Sequence, residues 1–218
     1  MKIDNLKIIA HRGIWEFSNQ KNSLKSLILA LENGFGLETD LRDCNGQLVI
    51  SHDPPNASKE TLILFEDLLK YYSYNNISTT LALNIKSDGL HDQIKFYLEK
   101  YSISNYFLFD MSIPDFLQYS FKNLNIFCRY SEYEDSDLLL KKSNGLWLDC
   151  FSQKNYEELE LENFYKKWQN IAIVSPELHG LDYEDLWQKV KISKSINDNI
   201  NLFLCTDKPK DAKVFFDI

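Results

Sequence analysis

The sequence predicts an α/β protein built as a (β/α)8, or TIM, barrel, with an extra β-hairpin strand inserted after the second strand. Three observations predict it. Short apolar runs alternate with stretches of helical periodicity along the whole chain, which argues for a parallel sheet with helices outside it. Setting the hairpin strand aside, the alternation yields eight β-α units, and eight units in 218 residues fit a compact barrel. No Gly-x-Gly-x-x-Gly fingerprint follows the first strand, which counts against an open doubly wound sheet. One domain spanning residues 1–218 is expected, because no linker, repeat or low-complexity tract interrupts the chain.

The elements follow in order. Lys7–Ala10 is a short strand of buried type. Asn22 or Ser23 can cap a helix in which Leu24, Leu27, Ile28 and Leu31 keep helical spacing, and Asn33-Gly34 ends it. Gly36–Leu41 is the second strand; Asn45-Gly46 is a turn signal, and Gln47–Ser51 runs back as the hairpin strand before Pro54-Pro55. Helix Leu64–Tyr72 precedes strand Thr80–Ile85, helix Leu90–Tyr101 precedes strand Tyr106–Phe109, and helix Asp115–Phe121 precedes strand Asn125–Cys128. Helices around Ser136–Lys142, over Tyr156–Trp168 and over Tyr183–Lys191 lead to strands Leu146–Leu148, Ile171–Val174 and Asn201–Cys205. Asp211–Asp217 is read as a last short helix.

Composition narrows the function classes. At 44% hydrophobic and 14% aromatic the chain can bury a sizeable core. No apolar stretch approaches the ~20 residues that span a bilayer. Met1-Lys2-Ile3-Asp4 leaves no room for a leader before the first strand. Cys44, Cys128, Cys150 and Cys205 form no CxxC pair and read as reduced thiols. Together these features fit the cytoplasm. A net charge of −8 without a basic run argues against nucleic acid and anionic membrane as partners. The expected partner is a small molecule. The arginines are scarce: Arg12, Arg42 and Arg129 stand against 21 lysines within 24 basic residues. All three are placed at or just past strand ends, where a guanidinium fork can take phosphate.

Barrel active sites sit at the carboxyl ends of the strands. Those ends carry His11 and Arg12, Glu38, Asp40 and Arg42, Asn84 and Lys86, Asp110, Arg129, Asp149, Ser175 and Glu177, and Thr206 and Asp207; His52 and Asp53 end the hairpin strand. Glu38 and Asp40, one residue apart, share a face of their strand. Paired carboxylates facing one point call for a proton or a cation, and a hard divalent ion, Mg2+ or Ca2+, takes oxygen ligands of this kind. His11 and His52, beside that pair, can exchange protons with an attacking group and a leaving oxygen. His91 opens a helix and reads as a surface residue. His179, in a loop on the same face, is a secondary substrate-binding candidate.

These residues resemble the glycerophosphodiester phosphodiesterase family. The match lies in His11-Arg12-Gly13, the E-x-D of Glu38 and Asp40, and His52-Asp53, in order and approximate spacing. Leu83-Asn84-Ile85-Lys86 resembles the family's third-strand E-x-K, and Cys205-Thr206 its last-strand Trp-Thr. The strong match covers roughly the first 90 residues; the ordered set is far more specific than any one piece. The resemblance implies a metal-dependent phosphodiesterase acting on a small soluble diester, whether glycerophosphodiester-like or a nucleotide- or sugar-linked intermediate, for example of surface polysaccharide metabolism. It implies His11 and His52 as the acid–base pair, Glu38 and Asp40 as metal ligands, and Arg12, Lys86 and Asn22 as substrate-binding residues; Arg129, as an arginine at a strand end, is a further substrate-binding candidate. In the family's usual proposed course a neighbouring hydroxyl attacks phosphorus and water then opens the cyclic phosphate.

Two departures stand out. Asn84 replaces a family glutamate that is a third metal ligand; its amide oxygen can still serve, or an acid such as Glu177, Asp110 or Asp149 completes the site. Lys21-Asn22 replaces Glu-Asn, so a cation stands near the mouth, which points to a more anionic substrate. The chain is also too short for a large inserted cap. The alternative to an enzyme is a catalytically impaired barrel that binds a phosphate ligand, having lost turnover through Asn84. A lyase or aldolase using Lys86 as a Schiff-base amine is a third reading.

Overall fold

A computed structural model describes residues 6–58, 61–134, 137–194 and 200–218. Its elements in chain order are β1 (Leu6–His11), α1 (Leu24–Glu32), β2 (Gly36–Cys44), β3 (Gln47–Ile50), α2 (Phe65–Tyr74), β4 (Leu81–Ile85), α3 (His91–Lys100), β5 (Tyr106–Phe109) and α4 (Ile113–Phe121). There follow β6 (Phe127–Tyr130), α5 (Asp137–Leu140), β7 (Gly145–Leu148), α6 (Gln153–Glu157), α7 (Leu161–Tyr165), β8 (Asn170–Val174), α8 (Glu184–Lys194), β9 (Asn201–Thr206) and α9 (Pro209–Phe216). The strand order is β5-β4-β2-β1-β9-β8-β7-β6, with β3 antiparallel on β2. Eight strands alternating with helices in this order, with a hairpin strand after the second, form a (β/α)8 barrel.

The chain divides into two compact units, Ala10–Ile126 and the remainder on either side of it. Strand β1 contributes Leu6–Ile9 to one and Ala10–His11 to the other. In the unit of residues 10–126, β2 pairs in parallel with β4, and β4 with β5. Its core is built by Leu37, Leu41, Leu81, Leu83, Phe107 and Phe109 of the strands against Leu27, Leu68 and Ile94 of the helices, all almost fully buried. Ser23 caps α1 by accepting the Ser26 N–H at 3.1 Å. The β2–β3 hairpin closes through Asn45 at φ 51° and Gly46 at φ 77°, the left-handed pair that a two-residue turn demands.

Gly13 has φ 94°, and a Cβ there would lie 2.5 Å from the Ser26 carbonyl carbon. Only glycine lets the end of β1 press against the first turn of α1, where the Ile14 N–H donates to the Ser26 carbonyl at 2.9 Å.

In the other unit, β6, β7, β8 and β9 pair in parallel in sequence order. Leu146, Leu148, Ile171, Ile173, Leu202 and Leu204 fill its core.

Several elements differ from the sequence expectation. Tyr156–Trp168 is not one helix but α6 and α7. A continuous helix would set Glu160, four residues after the buried Tyr156, on the inward face; the break instead buries Leu161 and Tyr165. β6 runs through Arg129 and Tyr130, which pair with Trp147 and Leu148, while Asn125 and Ile126 stay outside it, Asn125 accepting the Leu108 N–H at 2.9 Å and Ile126 forming an isolated bridge to Leu108. Arg42 lies inside β2, because the hairpin prolongs that strand to Cys44. Ser136 and Met1–Asp4 lie outside the described residues. The four cysteines are free. No helix among the described residues is long and apolar enough to cross a membrane.

Candidate active site

The carboxyl ends of β1, β2 and β4 gather the polar residues of the unit spanning residues 10–126. Glu38, Thr39 and Asp40 are all buried on β2, at 1%, 0% and 0% exposure. Period-two geometry puts Glu38 and Asp40 on one face, and the parallel register sets Asn84 of β4 directly beside Asp40. Burial and the neighbouring Asp40 push the Glu38 carboxyl up to about 8, against the opposing pull of Arg12 and Lys86.

Cations surround the pair. Arg12 has φ 55°, and its backbone N–H donates to the Glu38 carbonyl at 3.1 Å and to Glu38 Oε2 at 3.2 Å. Its Nε lies 2.9 Å from Asp40 Oδ2, as an ion pair whose N–H is not aligned for a hydrogen bond. Lys86 Nζ lies 3.7 Å from Asp40 Oδ1 and 3.3 Å from Asp110 Oδ2. Two anionic partners are the opposite of the apolar setting that an amine nucleophile needs. His11, 9% exposed, places Nε2 3.9 Å from Glu38 Oε2.

Two oxygens here are buried and make no hydrogen bond: Asp40 Oδ1 and Asn84 Oδ1. Such atoms are costly unless a ligand meets them. Among the described residues no group of three or more His, Cys, Asp and Glu side chains is arranged to hold an ion; the residue beside the carboxylate pair that offers another oxygen is Asn84. Two carboxylates and an amide oxygen fit a hard divalent cation by donor chemistry.

Asn22 holds Asp40 in place. With φ 59°, it donates from Nδ2 to Asp40 Oδ2 at 2.8 Å and accepts the Thr39 hydroxyl at 2.8 Å. Its backbone N–H donates to the Arg12 carbonyl at 3.0 Å. The whole amide group is engaged within the protein, which makes Asn22 a residue that positions Asp40.

His52 follows β3 and is half exposed, with Nδ1 2.9 Å from Asp53 Oδ1. It shares a cleft of about 540 Å3 with Arg12, Lys21 and Asn22, off whose lining lie His11 and Lys86. Arg42 is occupied structurally. Its Nε donates to the His52 carbonyl at 2.8 Å and its Nη1 to the Lys86 carbonyl at 2.9 Å, tying the hairpin exit to the end of β4. His91 is not a surface residue: it is partly buried, 3.3 Å from the buried Asp115 and edge-on to Tyr119.

The other unit holds the remaining candidates. Arg129 pairs with Asp149 at 3.7 Å and Glu134 at 3.5 Å, and lies over the Phe151 ring. His179 Nε2 meets Asp149 Oδ1 at 2.7 Å. Glu177 accepts from the Ser175 and Thr206 hydroxyls and from the Asp207 N–H.

Asp53, legible in the sequence as the neighbour of His52, orients it through the 2.9 Å contact. Two supporting residues escaped the sequence. Thr39 fixes the Asn22 amide, and Trp15 lies under the Lys21 ammonium at 4.2 Å; neither contact leaves a periodic trace in the sequence.

No family sequence model matches the chain, and neither does any curated protein sequence. Solved structures do match. A Galdieria sulphuraria protein assigned as a glycerophosphodiester phosphodiesterase superposes with a TM-score of 0.74 at 18% identity, covering 97% of this chain and 98% of its own. A glycerophosphodiester phosphodiesterase from Parabacteroides distasonis gives 0.70 at 18% identity, covering 98% and 97%. An Oleispira antarctica phosphodiesterase in complex with its product sn-glycerol-3-phosphate gives 0.69 at 16% identity, covering 97% of each chain. The chain therefore has the fold of the glycerophosphodiester phosphodiesterases.

Proposed function

We propose that the chain is a divergent glycerophosphodiester phosphodiesterase-like enzyme that hydrolyses a small soluble phosphodiester with the help of a divalent cation. The observation that carries this reading is the pair of buried, hydrogen-bond-free oxygens on Asp40 and Asn84 beside Glu38, ringed by Arg12 and Lys86. Mg2+ or Ca2+ would be held by Glu38, Asp40 and Asn84, and when bound would stabilise negative charge on phosphoryl oxygens. Arg12 and Lys86 neutralise the phosphate and orient it.

His52, whose Nδ1 side is engaged by Asp53, takes the proton of the attacking hydroxyl at Nε2. His11, with Nε2 near the Glu38 carboxylate, carries the proton delivered to the departing alkoxide. Asn22 keeps Asp40 aimed. The similarity in fold to the product-bound Oleispira antarctica phosphodiesterase supports the reaction class.

A binding-only reading has one observation in its favour: the neutral Asn84 stands where the resembling family has an acid, which leaves the site one negative charge short. One experiment separates the two. Phosphodiesters are screened with Mg2+, Mn2+, Ca2+ or excess EDTA, and phosphomonoester release is measured. Release that needs metal and disappears in His11→Ala and His52→Ala supports the enzyme; calorimetric binding of phosphate ligands without release supports the binding protein.

A further inference from the structure

Lys86 is tethered at its backbone and at its head. Its N–H donates to the Leu41 carbonyl at 2.9 Å, and its own carbonyl accepts Arg42 Nη1 at 2.9 Å. Its ammonium donates to Asp110 Oδ2 at 3.3 Å and lies 3.7 Å from Asp40 Oδ1, too far for a hydrogen bond. The ammonium therefore leans on Asp110, and Asp40 Oδ1 stays buried without a hydrogen bond.

Asp110 presents its carboxylate from a fixed backbone. It follows β5, whose Phe109 pairs with Asn84 of β4, and its φ of 73° is left-handed. Aspartate adopts that geometry more readily than most residues, yet at a cost, and such strain gathers where a side chain has to be aimed. The same connection grips the Lys86 segment a second time. Asp115 of α4, 5% exposed, accepts the Gly89 N–H at 3.2 Å and lies 3.3 Å from His91 Nδ1. Residues 86–91 are thus held at both ends by the segment that begins with Asp110, and a carboxylate on so firm a support can place an ammonium.

We propose that Asp110 is a positioning residue: it holds the Lys86 ammonium off Asp40 and ready for the substrate phosphate. This rests on the phosphodiesterase reading and deepens it. An ammonium beside Asp40 is repelled by any cation that Asp40 holds, and a second carboxylate offsets that repulsion. Without Asp110, the Lys86 ammonium either closes onto Asp40, where it competes for the open oxygen, or is driven out of the site. In both cases the phosphate loses a placed cation.

The sign of one effect separates positioning from simple charge. Removing a carboxylate near an anion site tightens phosphate binding by charge alone, whereas losing a placed lysine weakens it. sn-Glycerol 3-phosphate is titrated by calorimetry into wild type, Asp110→Asn, Lys86→Met and the double variant at one fixed Mg2+ concentration, with melting curves to confirm that each is folded. Asparagine tolerates the left-handed backbone, and Asp110→Gly, at ease at φ 73°, serves as a second variant. Each Asp110 variant is expected to weaken binding by about tenfold, the scale of one charge-assisted hydrogen bond. In the Lys86→Met background, Asp110→Asn is expected to weaken it no further. Unchanged or tighter binding in a folded Asp110 variant, an equal loss in the Lys86→Met background, or a wild type that does not bind the probe overturns the assignment. Diester hydrolysis is measured separately: its absence removes the enzyme and leaves the binding cycle standing, while a failed cycle leaves hydrolysis standing.

Discussion

The two compact units put the same kinds of ionisable residue at their strand ends and use them in opposite ways. In the unit that carries β6 to β9 the carboxylates are closed off: both Glu177 oxygens accept hydrogen bonds, and the two Asp149 oxygens face His179 and Arg129. In the unit of residues 10–126, Asp40 Oδ1 and Asn84 Oδ1 are buried and accept none. A closed network stiffens a fold and has nothing left to offer a ligand. An unsatisfied one is retained at a cost in stability, and that cost makes sense where a substrate or cation completes it. Residue type alone does not separate the two cases; satisfaction of the oxygens does.

The largest expected effect tests this contrast with histidines. His11→Ala and His52→Ala should each lower turnover by about 10²–10⁴-fold, the usual scale of acid–base help, whereas His179→Ala should fall well short of that. Steady-state kinetics on one diester decides it, and an equal loss in all three variants would erase the distinction between the units.

Next comes the metal. Asn84→Glu adds a charged donor beside Asp40 and should tighten divalent cation binding by about tenfold or more, since ligand charge count tunes such sites. Turnover need not rise with it. Calorimetric titration of Mg2+ into wild type and variant checks the prediction, and unchanged affinity would place Asn84 away from the ion.

The contrast can also be sharpened from the closed side. Glu177→Ala strips the partner from two hydroxyls and one backbone N–H, so it should cost about 1–3 kcal/mol of stability. Urea unfolding reads that loss. Kinetics far more impaired than stability would show that Glu177 belongs to the chemistry after all.

The smallest effect concerns pH. Glu66 at the surface is lowered to about 2 by hydrogen bonds from Lys100 and Tyr101. A carboxyl depressed in the folded state contributes stability that is present above its ordinary value near 4.5 and is lost as pH falls through about 2. Solvent screening keeps the effect small. Thermal melts of wild type and Glu66→Gln between pH 6 and pH 2 should converge at the acid end; a constant gap would assign the difference to packing.

Much of the fold was legible because its signals are local. Alternating apolar runs and helical spacing marked each β-α unit, and Asn45-Gly46 marked the hairpin. Glu38 and Asp40 were readable as a pair because a strand has period two. What escaped depends on contacts distant in sequence or on backbone geometry. The Asn22 amide reaches Asp40 only because its own φ is 59°. The Arg42 fork is consumed by carbonyls at residues 52 and 86, which no spacing along the chain announces. His91 meets Asp115 across the gap between α3 and α4. The division of Tyr156–Trp168 into two helices was hidden because every residue in it tolerates a helix, and only the burial of Leu161 in place of Glu160 selects the break.

That division has a kinetic consequence. α6 and α7 are five residues each, and α5 is four. Helices so short gain little from their own hydrogen bonds and persist only through the side chains they dock, here Tyr156, Leu161 and Tyr165. Their amides should exchange with deuterium well before those of β7 and β8, which lie between other strands in the sheet. Opening would begin on this flank and leave the strands paired, so the first bonds that a protease cuts should lie between Gln153 and Tyr165 rather than in the strands that carry the candidate site.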